Sequence, residues 1–230
     1  MAALELDAPP TARLPAALHR QQLVRLSVDG WSRVLQRPWD AEARACLGLW
    51  AERGLPLVVT RQPPSHGELL ATGLPAPARF GRRRLAVAVA PHDVLFLDEF
   101  PSATAATRLL PRTLAATWRT LLAELAAKDC AARVYGGYGW QALARMAYVH
   151  AGSDIDLMLP VASSAHADAV AQVLVAMAWD GPRLDGELLL PDGGAVAWRE
   201  WVEHREGRAA QVLVKRLRGV ALETPGARLA

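Results

Sequence analysis

The stretch GSDIDLML, residues 152–159, sets Asp154 and Asp156 one residue apart in an otherwise apolar run. Ile155 to Leu159 has the composition of a buried β-strand, a costly place for two like charges. Alternate residues of a strand share a face, so the carboxylates project together from Cα atoms about 6.5–7 Å apart. They repel each other unless a cation lies between them. Mg²⁺ is the cation expected, because it takes oxygen ligands and shares its shell with substrate phosphates. The plainer reading is that both aspartates cover the wet side of a half-exposed strand while Ile155, Leu157 and Leu159 pack inward.

The residues upstream favour chemistry. ARVYGG (132–137) reads as a strand ending in Gly136-Gly137, and YGWQALARM (138–146) reads as the helix that follows. Free N–H groups at a helix start bind phosphate, although a tight structural turn would also use glycine. Strand, Gly-Gly, helix, then D-x-D is the order expected when triphosphate oxygens lie on the turn and metal holds them against the acids. Gly136, Gly137 and Tyr138 are therefore the candidate phosphate-binding residues, and Asp154 and Asp156 the candidate metal ligands. RLDGELLL (183–190) supplies Asp185 and Glu187 on one face of another strand, and either could be a third catalytic carboxylate. Lys215, one of two lysines in the chain, lies in the apolar VLVKR. It could neutralise a phosphate or stand at an exposed strand end. Such a site would support in-line attack on a phosphoryl group, with the incoming and leaving oxygens both stabilised.

Other polar residues carry less. His150 and His166 flank the D-x-D strand and read as structural. Arg82, Arg83 and Arg84 read as a solvated strand start, with ligand phosphate as the alternative. Glu200 is expected to pair with a surface arginine, and Trp140, Trp198 and Trp201 are core candidates.

The elements that must position these groups follow from periodicity. QLVRLS (22–27) and PLVVTRQ (56–62) read as strands around a helix from Asp40 to Arg53, and RRLAVAVAPHDVLFL (83–97) as two strands with a turn at Pro91. Asp98 to Pro111, rich in small residues and proline, reads as a linker or extended crossing. PRTLAATWRTLLAELAAKD (111–129) is a helix with Leu114, Trp118, Leu121, Leu122 and Leu125 on one face. Residues 164–179 form another helix, residues 182–203 two strands about a Pro-Asp-Gly-Gly turn, and residues 210–216 a last strand. The fold expected is α+β, or mixed α/β. Its predicted parts are a loose tail (1–15), a smaller strand-rich domain (16–108), a mixed-sheet catalytic domain (109–222) and a tail (223–230).

With 230 residues, 52% hydrophobic and 21% charged, the chain is long and apolar enough for a sizeable core. A net charge of +3, with no basic helix or zinc-finger spacing, argues against nucleic acid. Cys46 and Cys130 have no ligand spacing and read as reduced thiols of a cytoplasmic protein. The N-terminus lacks signal-peptide character, and no apolar run reaches the roughly 18 residues of a membrane span.

VYGGYGWQALARMAYVHAGSDIDLML, followed by RLDGELLLPDGGAVAWREW and VLVKR, resembles the malonate decarboxylase holo-acyl-carrier-protein synthase family. Its members are phosphoribosyl-dephospho-CoA transferases with a nucleotidyltransferase-type catalytic domain. HRQQLVRLSVDGW, GLPLVVTRQPP and RRRLAVAVAPHDV fit the family's first half, so the resemblance spans most of the chain. It implies transfer of the phosphoribosyl-dephospho-CoA unit of 2′-(5″-triphosphoribosyl)-3′-dephospho-CoA to a serine of the malonate decarboxylase acyl-carrier subunit. Pyrophosphate would leave. The family's paired aspartates fall on Asp154 and Asp156. Gly137 stands where such enzymes usually carry serine, which leaves backbone amides to hold the phosphates. The rival readings are a Mg²⁺-dependent nucleotidyltransferase using an ordinary NTP, and a non-catalytic module binding CoA-like ligands or the carrier.

Overall fold

A computed structural model describes residues 18–225; the predicted N-terminal tail and residues 226–230 lie outside the described residues. The first half contains β1 (Leu23–Leu26), α1 (Val28–Leu35), α2 (Ala41–Glu52), β2 (Leu57–Val59), β3 (Leu70–Pro75), β4 (Arg84–Val89) and β5 (Val94–Asp98). Its strands form one antiparallel sheet in the order β4-β3-β2-β1-β5. β4 and β5, adjacent in sequence, therefore occupy opposite edges. Ser27 caps α1 and Asp40 caps α2, each accepting from a backbone N–H of the first turn.

The second half contains α3 (Ala115–Ala126), β6 (Arg133–Tyr135), α4 (Gly136–Ala144), β7 (Ile155–Pro160), α5 (Ser164–Ala176) and β8 (Leu184–Leu189), then β9 (Ala195–Ala197), α6 (Trp198–Arg205), β10 (Val212–Lys215) and β11 (Val220–Glu223). Its sheet runs β11-β10-β9-β8-β7-β6. β7 and β8 are parallel, joined by the crossover helix α5, and the remaining neighbours are antiparallel. This is the mixed sheet with helices that the sequence predicts. Ile155, Leu157 and Leu159 of β7 enter one core with Trp118, Leu121 and Leu125 of α3, Val170 and Leu174 of α5, and Trp201 of α6. One side of the sheet is thus apolar and helix-covered, and strand alternation sends the acidic residues to the other.

Three expectations change, and two elements are added. Residues 98–111 are packed rather than a linker: Phe100, Ala103 and Ala106 are buried, Ser102 bridges to Arg133, and the Trp118 indole donates to the Ala103 carbonyl at 3.3 Å. Small residues there allow close packing against α3, a role that composition alone does not separate from looseness. Residues 198–203 are helical, because Trp198, Trp201 and Val202 recur at helical spacing and bury together. β10 is followed by β11, so Glu223 belongs to the sheet and not to a tail. α1 and β3 escape sequence reading: α1 is short, and Thr72 and Gly73 interrupt the apolar run of β3.

The core of the first half also takes in Phe100, Trp140, Ala144 and Tyr148 from the second. Trp140 on α4 stands 6.2 Å from Trp50, meets Phe100 edge-on at 5.3 Å and stacks near Tyr148 at 6.3 Å. The Tyr148 hydroxyl donates to the Pro75 carbonyl at 2.8 Å, and Arg82 donates to the Tyr148 carbonyl at 2.7 Å. α4 is therefore held from the first half. Trp140→Ala should cost about 3–5 kcal/mol in chemical denaturation; a loss below about 1 kcal/mol would refute the anchoring role.

Candidate functional site

β6 and β7 pair so that Tyr135 faces Asp156, and β7 and β8 pair so that Asp156 faces Asp185 and Met158 faces Glu187. Tyr135, Asp156, Asp185 and Glu187 therefore share one face of the sheet. Asp154 lies just before β7 begins. The structure thus brings Asp156 of the D-x-D pair beside both candidates for the third acid.

Those candidates differ in their commitments. The Glu187 side chain is buried and pairs with Lys215 Nζ at 2.7 Å across β9. Lys215 is thereby a partner of an acid rather than a cation at an exposed strand end. Asp185 accepts from Arg183 at 2.8 Å and from the Gly186 N–H at 2.9 Å. Arg183 is mostly exposed, so the more adaptable acid is Asp185.

Gly136 opens α4 with φ of 57°, and a Cβ there would lie 1.8 Å from Asp156 Oδ2. Both the left-handed backbone and the contact demand glycine. Gly186 is the second such point: its φ is 146°, and a Cβ would lie 2.2 Å from the Leu157 carbonyl oxygen. The absence of a side chain there lets β8 close on β7. A Cβ at Gly137, in contrast, would meet only Ser153 Oγ at 3.8 Å. α4 has no side-chain cap, so its first-turn N–H groups remain available beside Asp156.

Burial pushes the Asp156 carboxyl up from an ordinary 3.8 to about 6, with further upward pushes from Asp185, Asp154 and Glu187; Arg183 opposes them. Burial also raises Tyr135, reinforced by Glu187, Asp156 and Asp185 and opposed by Arg20. The face therefore holds excess negative charge. No group of three His, Cys, Asp or Glu side chains among the described residues converges to hold a metal alone. An all-oxygen set of one or two carboxylates, completed by water and phosphate, nevertheless suits Mg²⁺. Asp156, its carboxyl pushed up by burial and by its acidic neighbours, and Asp154 beside it fit such an ion by chemistry, with Asp185 in register next to them but already paired with Arg183.

The remaining candidates have structural work. Tyr138 packs in the second core, while Tyr135, three positions earlier and not singled out in the sequence, is the tyrosine on the acidic face. His150 Nδ1 accepts from the Gly152 N–H at 3.1 Å, and His166 Nδ1 from the Ala162 N–H at 3.0 Å. Glu200 accepts from the Leu213 N–H at 3.0 Å instead of pairing with an arginine. Arg83 pairs with Asp40 at 2.6 Å. Trp140, Trp198 and Trp201 are buried.

Comparison with known proteins decides the family. The family model described as Phosphoribosyl-dephospho-CoA transferase MdcG C-terminal domain matches residues 99–225, and the corresponding N-terminal domain matches residues 19–98. The chain belongs to the phosphoribosyl-dephospho-CoA transferase family. A protein named phosphoribosyl-dephospho-CoA transferase from Bradyrhizobium diazoefficiens is 35% identical over 207 residues, covering 88% of each chain. One of the same name from Xanthomonas euvesicatoria pv. vesicatoria is 37% identical over 180 residues, 75% of this chain and 80% of the other. The Pseudomonas aeruginosa protein of that name is 32% identical over 181 residues, 73% of this chain and 78% of its own. No solved structure matches. The protein is accordingly an enzyme, a transferase, and no helix among its described residues is long and apolar enough to cross a membrane.

Two predictions follow from the packing and charge. Gly136→Ala should lose roughly 1–3 kcal/mol or more in denaturant titrations, while Gly137→Ala stays close to wild type; equal losses would show that the Asp156 contact does not restrict the turn. Because Asp156 is held above 3.8, the folded state binds more protons than the unfolded chain between pH 3.8 and about 6. Stability contributed by this group therefore falls as pH rises through that window and stays low above it. Asp156→Asn should raise stability at pH 7 by roughly 2–3 kcal/mol and have little effect near pH 4, read by thermal melts without divalent cations. Destabilisation at pH 7 would contradict the raised carboxyl.

Proposed function

We propose that the enzyme transfers the phosphoribosyl-dephospho-CoA unit of 2′-(5″-triphosphoribosyl)-3′-dephospho-CoA to a serine of the malonate decarboxylase acyl-carrier subunit. The observation that carries this reading is the contact between the glycine turn and a carboxylate of the D-x-D pair, with Asp185 in register beside it. Family membership supports the donor. The cytoplasm is the proposed location, in keeping with the free thiols of Cys46 and Cys130.

In this mechanism the first-turn N–H groups at Gly136 and Gly137 bind triphosphate oxygens. Asp154 and Asp156 would hold Mg²⁺, with Asp185 beside them as the further carboxylate, and the ion when bound would supply charge neutralisation for the triphosphate. Glu187 keeps Lys215 on the acidic face, where its ammonium limits repulsion among the carboxylates. The serine Oγ attacks the α-phosphorus in line, a phosphodiester forms, and the bond from the α-phosphorus to the α,β-bridging oxygen breaks. Pyrophosphate carries that electron pair away, and the serine proton passes to solvent.

Pyrophosphate release from this donor with apo carrier subunit should require both Mg²⁺ and the carrier. It should fall at least about 100-fold in Asp154→Ala and Asp156→Ala while both variants stay folded. Labelled ATP should leave no label on the carrier. No release by folded wild type with several carriers would overturn the reading, and transfer of label from ATP would replace it with an NTP-dependent one.

A further inference from the structure

Tyr135 ends β6, faces Asp156 across the antiparallel pair and immediately precedes the glycine turn. Its ring leans on Phe100, with centroids 6.4 Å apart and planes tilted by 57°. Phe100 is itself buried, so the tyrosine ring is braced from behind. The charges that act on its hydroxyl are the carboxylates of Glu187, Asp156 and Asp185 and the guanidinium of Arg20. Arg20 belongs to the first half, whose His19 Cβ lies 3.8 Å from where a Cβ of Gly193, beyond β8, would stand.

The hydroxyl has no hydrogen-bond partner among the described residues, unlike that of Tyr148, which donates to Pro75 at 2.8 Å. Tyr135 is half-buried and its hydroxyl is not sealed from solvent, so a phosphate oxygen can reach it and take the place of water as acceptor. The residue type also fits the place. A lysine or arginine here would be captured by the carboxylates, as Arg183 is by Asp185 and Lys215 by Glu187. A neutral phenol can stand among these acids and still offer its proton to a second anion.

We propose that the Tyr135 hydroxyl donates a hydrogen bond to a phosphate oxygen of the donor substrate, holding the triphosphate between the glycine turn and the acids. This rests on the transferase reading above. Tyr135 would be a substrate-binding residue contributed by the strand edge, and Tyr148→Phe supplies a structural control for it.

The test compares wild type, Tyr135→Phe and Tyr148→Phe in three measurements. These are pyrophosphate release, melting temperature, and binding of inorganic triphosphate with Mg²⁺ by calorimetry. Tyr135→Phe should lower kcat/KM or triphosphate affinity about 10–100-fold and leave the melting temperature within about 2 °C of wild type. Tyr148→Phe should lower the melting temperature and leave triphosphate affinity unchanged. Wild-type turnover and affinity in Tyr135→Phe, or an activity loss matched by a loss of folded protein, would overturn the proposal. If wild type releases no pyrophosphate, the transferase reading fails, and triphosphate binding alone decides the role of Tyr135. A 10-fold or greater weakening in Tyr135→Phe then supports it. Equal affinity, or no binding by wild type, refutes it.

Discussion

The carboxylate of Asp156 rests against the backbone of Gly136 so closely that nothing larger than a hydrogen fits there. The other parts of the site are arranged around this contact. Antiparallel pairing of β6 and β7 sets Tyr135 opposite Asp156, which brings the start of α4 onto the acid. A second close approach, between Gly186 and the Leu157 backbone, lets β8 join in parallel register and deliver Asp185 to the same face. Two glycines separated by fifty residues thus decide how near the start of α4 and the carboxylates of β7 and β8 can come.

Charge on that face is only partly balanced. Lys215 answers Glu187 and Arg183 answers Asp185, but Asp156 keeps a carboxyl that burial and its acidic neighbours push up to about 6. A fold selected for stability alone would place a neutral residue here. The opposite face of β7 is built from Ile155, Leu157 and Leu159 packed under helices, and that apolar burial offsets the strain of the acidic side. The proposed affinity for a cation and the cost to the free protein would have the same source: negative charge held out of water.

The first half of the chain supports the site through α4. Trp140 and Ala144 face the first core while Tyr138 faces the second, so the helix carrying the glycine turn is clamped between them. Arg82 and the Tyr148 hydroxyl fasten the loop that follows. A helix of nine residues would fray by itself. With both sides packed, its N-terminus stays fixed relative to Asp156.

Much of this was legible in the sequence because it depends on local pattern. D-x-D in an apolar run, Gly-Gly between a strand and a helix, and the leucine and tryptophan face of α3 are readable from spacing, since strand and helix periods act on neighbouring residues. The α+β class and the family resemblance rest on the same local signals. Tertiary structure decided what depends on residues far apart in the chain. Strand register set Asp185 opposite Asp156 and bound Glu187 to Lys215, separating two acids that spacing treats alike. Packing sent Tyr138 inward and left Tyr135 on the acidic face, and it turned the small residues of 98–111 into a tight seam. Spacing says which residues point the same way, whereas partners, burial and charge balance are set only when distant strands and helices meet.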